Sequence, residues 1–285
     1  MEITGKTKLV GVTGWPLTYT FSPSMHNPAI QKAGLDYIYA AFPLHPDDLE
    51  VGLRGLFVAG VRGLNVTIPH KERVAAMMDT LSQEAQAVGA VNTVRVDDDG
   101  LCGFNTDVYG FSTALGEAGF SLEGRRVAIA GAGGVGRAIV TAALLGGASS
   151  VAIWDIDAPR CLRLVNDFQK TKLPHYRVVA CAAGAERENA LARCHLFVTA
   201  SPVGVKPSDP SPIDVQLLPH DCFVFDSVYN VDETTLLARA RDRGLAHLNG
   251  LTMLMHQGAK SFEIWFGVKP DTDLMLQKLR QRAVA

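Results

Sequence analysis

Short apolar runs alternate along the whole chain with longer stretches in which apolar residues recur at helical spacing. Lys8–Thr13, Asp36–Phe42 and Gly63–Ile68 read as strands, bounded by Gly, Pro or polar residues. Leu49, Leu53, Leu56 and Phe57 line one face of a helix predicted over Pro46–Ala59. A hydroxyl-rich stretch holding Thr18, Thr20 and Ser22 enters another helix near Pro23, a residue well tolerated at a helix start. In the third strand Asn65 and Thr67 alternate with Leu64, Val66 and Ile68, so they share one face. Pro69 stops that strand, and Lys71 stands at the start of the next helix. A strand over 89–96 follows, closed by the acidic turn Asp97-Asp98-Asp99-Gly100, which reads as a hairpin surface. Residues 101–107 then lead into a helix over 108–118. Strands alternating with helices predict a parallel α/β layer.

The middle of the chain carries a second, clearer pattern. Val127–Ala130 reads as a buried strand, and the Ala- and Leu-rich stretch Val135–Leu145 as a helix. Between them Gly131, Gly133 and Gly136 complete G-x-G-x-x-G, in the strand–turn–helix setting that gives this motif meaning. The first glycine makes the turn, the second lets a pyrophosphate approach the backbone, and the third packs helix on strand. Ala132, Gly134 and Val135 complete the turn, whose helix N-terminus offers N–H groups to phosphates. Further strands are predicted over 149–157, 175–180, 196–205 and 223–230. Residues 247–267 read as an amphipathic helix with its lead-in, and 271–280 as a short closing helix. Asp155 falls at the end of its strand, about 20 residues beyond the glycine motif, where an acid binding the adenine ribose is expected.

These patterns predict two α/β domains: residues 1–112, completed by helices from 248–285, and a Rossmann-type dinucleotide domain over 113–247, with the active site in the cleft between them. A length of 285 residues suits two cores. A net charge of −2 with no cluster of Lys and Arg argues against nucleic acid. No apolar run reaches the ~18 residues of a transmembrane helix, and the first residues lack the regions of a signal peptide. Five widely spaced cysteines, none in C-x-x-C, fit reduced thiols in a cytoplasmic protein rather than a disulfide framework or zinc site. His256 has no second ligand at metal spacing on its helix, so no metal is expected.

Read alone, the polar residues near the strand ends are unremarkable. Lys71 is a solvated lysine by default, and Thr20, Ser22, Asn105, Thr106 and Asp107 stand where helix caps are common.

Their order along the chain changes that reading. Ser22-Pro23…His26-Asn27, Asn65-Val66-Thr67-Ile68-Pro69-His70-Lys71-Glu72, Gly89-Ala90-Val91-Asn92-Thr93 and Gly103-Phe104-Asn105-Thr106-Asp107…Gly110-Phe111 closely resemble the motifs of the shikimate/quinate dehydrogenase family. The resemblance runs from the first strand to the last helix. It implies that Lys71 and Asp107 form a catalytic pair beside a reacting hydroxyl. Thr20, Ser22, Thr67, Asn92 and Asp107 would cradle a cyclic polyol acid, and Gln257 would reach it from the late helix. Thr20 stands where the family often has Ser, which adds a methyl to the carboxylate pocket. Tyr229 matches a wall of the substrate site, with a half-buried structural tyrosine an equal alternative. The resemblance places Ser201, Val203, Val205 and Gly250 along the cofactor, although Thr199 replaces a usual Asn and Val205 a common Met.

The implied chemistry is reversible hydride transfer between a nicotinamide and a ring hydroxyl of shikimate or quinate. Free lysine is protonated at neutral pH and a poor base. Desolvation favours its neutral amine and a neighbouring carboxylate its ammonium, so which member of the pair takes the proton stays open. NADP-preferring members of the family tend to carry an Asn-Arg-Thr-like stretch where this chain has Asp155-Ile156-Asp157. A carboxylate there accepts from a free 2′-OH and repels a 2′-phosphate, so NAD is favoured, with Arg160 keeping NADP open. The alternatives are an NAD-linked quinate dehydrogenase, a paralogue acting on an amino-polyol, or a non-catalytic sensor of nucleotide or metabolite. The expected partners are small molecules, with neither nucleic acid nor membrane, for a monomer or homodimer.

Overall fold

β-Branched and aromatic runs become strands here, and the segments of helical periodicity become the helices that cover them. The structure, a computed structural model, describes residues 2–18, 20–170, 177–206, 208–231 and 233–283. In chain order the first elements are β1 (Lys8–Gly14), α1 (Ser22–Lys32), β2 (Tyr37–Pro43) and a 3-10 turn (Pro46–Asp48) running into α2 (Leu49–Val58). β3 (Val61–Val66), α3 (Lys71–Ala75), β4 (Thr80–Leu81), α4 (Gln83–Val88), β5 (Thr93–Asp97), β6 (Gly100–Phe104) and α5 (Asp107–Glu117) follow. Next come β7 (Arg126–Ala130), α6 (Gly134–Leu145), β8 (Ser150–Trp154), α7 (Ala158–Gln169), β9 (Arg177–Ala180), α8 (Ala185–Arg193) and β10 (Leu196–Thr199). A 3-10 turn (Val215–Leu217), β11 (Phe223–Asp226), α9 (Thr235–Asp242), β12 (His247–Asn249), α10 (Leu251–Phe266) and α11 (Thr272–Ala283) complete the chain.

Two compact units divide these elements. One takes the residues up to Gly110 with Met255–Ala283, and the other takes Phe111–Leu254. The changes of unit fall inside α5 and α10 rather than at 112 and 247. A boundary at 247 would cut β12, which pairs in parallel with β11.

In the first unit the sheet runs β2-β1-β3-β5-β6-β4. The parallel layer read from the sequence holds for β2, β1 and β3, while β5 runs antiparallel to both β3 and β6. The reversal between β5 and β6 comes from the acidic turn, where Asp97 pairs with Gly100 across a two-residue hairpin. β4 and α4 are too short for periodicity to reveal. The ladder of β3 ends at Val66, so Thr67 stands in the turn beyond the strand instead of sharing its face with Asn65, and Ile68 is 63% exposed. Pro69 has no N–H to extend the ladder. Leu49 and Leu53 of α2 pack with Leu64, Val66, Val74, Val91 and Val94, with Leu56 and Phe57 partly buried beside them. Each fully buried Leu contributes about 1.5–3 kcal/mol.

In the second unit the sheet order is β12-β11-β10-β7-β8-β9, parallel throughout. β10 and β11 stop earlier than their sequence suggests. Ser201, Val203, Val205 and Tyr229 therefore lie in the loops beyond the carboxyl ends of these strands. Of the strand expected over 175–180, His175 and Tyr176 lie outside the described residues. Residues 247–249, expected as a lead-in, are the edge strand β12. Trp154, Phe197, Val224, Leu236 and Leu237 sit in one core cluster.

The first unit encloses a histidine that burial holds neutral. His26 of α1 is fully buried and stacks on Tyr39 at 4.4 Å between ring centroids, 4° from parallel. Phe262 and Trp265 lie further out at 6.5 and 5.5 Å. Neither ring nitrogen has a hydrogen-bond partner among the described residues, and burial lowers the pKa from 6.5 to about 3. The unfolded chain takes up this proton first, so the group's contribution to stability is complete above pH 6.5 and is lost as pH falls toward 3. The slope is about 1.4 kcal/mol per pH unit. Urea denaturation at pH 7 and pH 5 is expected to show this loss, and H26F to remove its share of it. An identical pH slope in the variant would contradict the assignment.

Candidate functional site

Two short connections bring a cation and an anion together inside the first unit. Lys71 opens α3 directly after the β3 turn, and Asp107 opens α5 directly after β6. Lys71 Nζ donates to Asp107 Oδ2 at 2.7 Å, with side chains only 10% and 7% exposed. The Asp107 carboxylate lies in the first turn of α5, where a helix dipole favours negative charge. Backbone bonds fix both partners. Val91 N donates to Lys71 O at 2.9 Å, and Asp107 N donates to Asn105 Oδ1 at 3.1 Å. Of the three residues read as caps before α5, Asn105 thus takes that part, and it also donates to Ala90 O at 2.9 Å.

Asn92, 2% exposed, has an amide whose orientation is forced. Thr106 N donates to Asn92 Oδ1 at 2.8 Å, and a backbone N–H cannot accept, so the other end must be the amino group. Asn92 Nδ2 accordingly donates to Thr106 Oγ1 at 3.0 Å and to Gln257 Oε1 at 3.4 Å. Thr106 Oγ1 also reaches Gln257 Oε1 at 3.3 Å. The Gln257 oxygen is thereby an acceptor, and the donor end of that amide is Nε2. The structure thus gathers Lys71, Asp107, Asn92 and Gln257 in one unit.

Behind this layer lies a second, which the sequence did not reveal as a network. Tyr39 Oη donates to Asn65 Oδ1 at 2.8 Å. Asn65 Nδ2 donates to Ser261 Oγ at 2.9 Å, to Thr93 Oγ1 at 3.1 Å and to Asn92 O at 3.3 Å. Ser261 Oγ donates to Gln257 O at 3.0 Å, one turn back on α10. Its i+4 spacing from Gln257 was the available signal, and for Thr93 it was adjacency to Asn92. Ser22 is the first residue of α1 rather than its cap, and its N–H donates to Thr20 Oγ1 at 3.4 Å. Thr67, half-buried, is anchored by its N–H donating to Thr13 O at 2.9 Å.

The second unit builds an anion cradle. Gly131 takes φ +117° and a Cβ there would strike Ala200 O, while a Cβ on Gly136 would strike Gly131 O. Only glycine fits either place. Gly133 is the N-cap of α6 without a side-chain cap, which leaves the helix N–H groups facing outward. Beyond a Cβ on Gly133 the first atom is Arg160 Nη2, at 3.6 Å. The turn therefore fits a pyrophosphate. Asp155 receives Ala132 N at 2.6 Å on Oδ2 and Asp157 N at 2.9 Å on Oδ1. Asp157, not Asp155, caps α7, accepting from Arg160 N at 2.9 Å. Tyr229 is half-buried, and Gly250 packs on Ser227 O and donates its N–H to Val228 O at 3.0 Å. Among the described residues no cluster of three or more His, Cys, Asp or Glu could hold a metal ion, and no helix is long and apolar enough to cross a membrane.

Two family models match the chain: the shikimate dehydrogenase substrate binding domain over residues 12–94 and the shikimate 5'-dehydrogenase C-terminal domain over 250–280. A shikimate dehydrogenase (NADP(+)) of Symbiobacterium thermophilum is 40% identical, over 95% of this chain and 93% of that one. The structure is similar to shikimate 5-dehydrogenase from Listeria monocytogenes in complex with shikimate and NAD. That match has a TM-score of 0.88 and 34% identity, over 98% of each chain. It is also similar to quinate dehydrogenase from Corynebacterium glutamicum in complex with NAD, with a TM-score of 0.86 and 31% identity, over 96% of this chain and 99% of that one.

The buried network predicts a contrast in stability. N65A removes the acceptor of the Tyr39 hydroxyl and the amide that donates to Ser261, Thr93 and Asn92, and is expected to cost about 2–3 kcal/mol in urea denaturation. R54A removes only the exposed pair with Glu50, 73% and 66% exposed, and is expected to cost less than about 0.5 kcal/mol. Equal losses in the two variants would contradict the network's role.

Proposed function

The chain belongs to the shikimate dehydrogenase family, and we propose that it transfers a hydride reversibly between a nicotinamide dinucleotide and a ring hydroxyl of shikimate. The observation that carries this reading is the buried Lys71–Asp107 pair at 2.7 Å, in the same unit as the oriented amides of Asn92 and Gln257. Bound nicotinamide supplies the hydride acceptor or donor. The protein's own part is the proton. As the alcohol carbon loses its hydride, the hydroxyl proton passes to the Lys71–Asp107 pair, and in the reverse direction the pair returns it to the carbonyl oxygen. The Lys71 ammonium also offsets negative charge developing on that oxygen. Asn92 and Gln257 orient the ring, with Thr20, Ser22 and Thr67 completing the cradle and Tyr229 forming a wall. The first unit is the substrate domain and the second the dinucleotide domain, its pyrophosphate held at Gly131–Gly136. Quinate is a second substrate of the same class. The free cysteines suit a cytoplasmic setting.

For the cofactor we favour NAD. Support comes from the carboxylate of Asp155, held at the glycine turn by Ala132 N, where it accepts from a ribose 2′-OH and repels a 2′-phosphate. A second reading, NADP, is favoured by the Arg160 guanidinium near Gly133, which suits an added phosphate.

Initial rates with shikimate and quinate, each against NAD and NADP, test both readings. Turnover with shikimate is expected, with higher kcat/KM for NAD, and D155A is expected to shift the ratio toward NADP by about tenfold or more. D107N is expected to lower kcat by about 10²–10⁴-fold. A parent that binds dinucleotide without turning over any combination would support a sensor instead, and a strong NADP preference would overturn the Asp155 reading.

A further inference from the structure

Asp226 ends β11 and is 1% exposed, yet nothing in the proton transfer uses this carboxyl group. Oδ1 accepts from Val228 N at 3.0 Å and Oδ2 from Thr234 Oγ1 at 2.6 Å. Burial pushes its pKa up to about 6, opposed by these two bonds. A carboxyl group kept at that desolvation cost points to a demand on geometry.

Its two donors reach both loops at this end of the sheet. Val228 N–H belongs to the loop after β11, whose Ser227 N donates to Thr199 O at 3.0 Å. Thr234 caps α9, accepting from Leu237 N at 3.3 Å. The Thr234 methyl stands 3.3 Å from where a Cβ on Gly204 would lie, in the loop after β10. Asn230 Nδ2 donates to Val205 O at 3.2 Å, and Thr235 Oγ1 to Asp209 O at 2.8 Å. The Asp209 carboxylate then receives Gly204 N at 3.0 Å and Lys206 N at 3.1 Å. The two loops and Gly250, bonded to Val228 O, form one tied assembly.

The sheet order says which half of a dinucleotide meets it. With the glycine turn after β7, Asp155 lies on the β8 side, which takes the adenine ribose, and β10 and β11 lie on the opposite side of β7. A ligand crossing the turn extends its other half over the β10 and β11 loops. We propose that Asp226 is a positioning residue for the nicotinamide half of the dinucleotide, holding the 201–205 and 227–230 loops in one arrangement through Thr234 and Val228. This inference rests on the dinucleotide-binding part of the proposed function.

The test separates the two halves of the ligand. The full chain is titrated calorimetrically with ADP-ribose or its 2′-phosphate, which lack nicotinamide, and with NAD and NADP. D226N keeps the shape but loses an acceptor. It is expected to weaken the whole dinucleotide by about tenfold and the ADP-ribose forms by less than about twofold. T234V, which removes the hydroxyl from the same shape, is expected to do likewise, and T234S, which keeps the hydroxyl, to weaken binding less than T234V. Equal weakening of both ligand classes, or of neither, would overturn the proposal, as would T234S behaving like T234V. A parent that turns over no substrate while showing the expected binding contrast would remove the dehydrogenase reading and leave the positioning role standing.

Discussion

The Lys71–Asp107 pair is the constraint around which the first unit makes sense. Taking two opposite charges out of water to side-chain exposures of 10% and 7% is costly, and apolar residues of similar volume commonly stabilise a fold as well or better. Such a pair is poorly explained as a stabiliser and well explained as chemistry. The surrounding architecture is what keeps the two charges together. β3 ends before Pro69 so that Lys71 can open α3, and β6 turns through Asn105 so that Asp107 can open α5. Behind them, the Thr106 N–H fixes one amide, that amide fixes the next, and Asn65 joins the set to Tyr39 and the buried aromatic stack. Proton-transfer chemistry gains from such order because the groups need little rearrangement as charge develops.

The second unit solves a different problem with backbone. Its parallel sheet puts the loops of β7, β10 and β11 at the same edge, and close approach of chain to chain there admits no side chain at Gly131 or Gly136. Asp155 and Asp226 are two of the carboxyl groups at this end of the sheet, each receiving two donors. The first braces the glycine turn through Ala132 N–H, and the second ties neighbouring loops through Val228 N–H and the Thr234 hydroxyl. One fixes the turn and the other the loops beyond it.

Much of this could be read from the chain itself, for reasons that differ by residue. Gly131, Gly133 and Gly136 announce a turn because their spacing has a steric cause. Leu49 and Leu53 announce a buried helix face because α-helical periodicity is a local property. Lys71 and Asp107 could be linked only through the resemblance of their motifs, since no local rule joins residues 36 positions apart. The β5–β6 reversal was legible in the acidic hairpin turn, but the antiparallel pairing of β5 with β3 was hidden because alternation of strand and helix suggests parallel neighbours. Asn65, Thr93, Ser261 and Tyr39 looked separate because their bonds span the chain, 196 residues in the case of Asn65 and Ser261. Thr67 was misplaced by a strand read two residues too long, and β12 was missed because three residues carry no period.

The central claim is that the Lys71–Asp107 pair manages the proton of the reacting hydroxyl, and chemical rescue of its lysine member tests it most directly. K71A, shown by circular dichroism to be folded, is assayed with shikimate and dinucleotide as small primary amines are added. The account predicts that turnover is nearly abolished in K71A and rises with amine concentration, while the parent shows no such rise. A folded K71A that turns over at the parent rate without amine would contradict it.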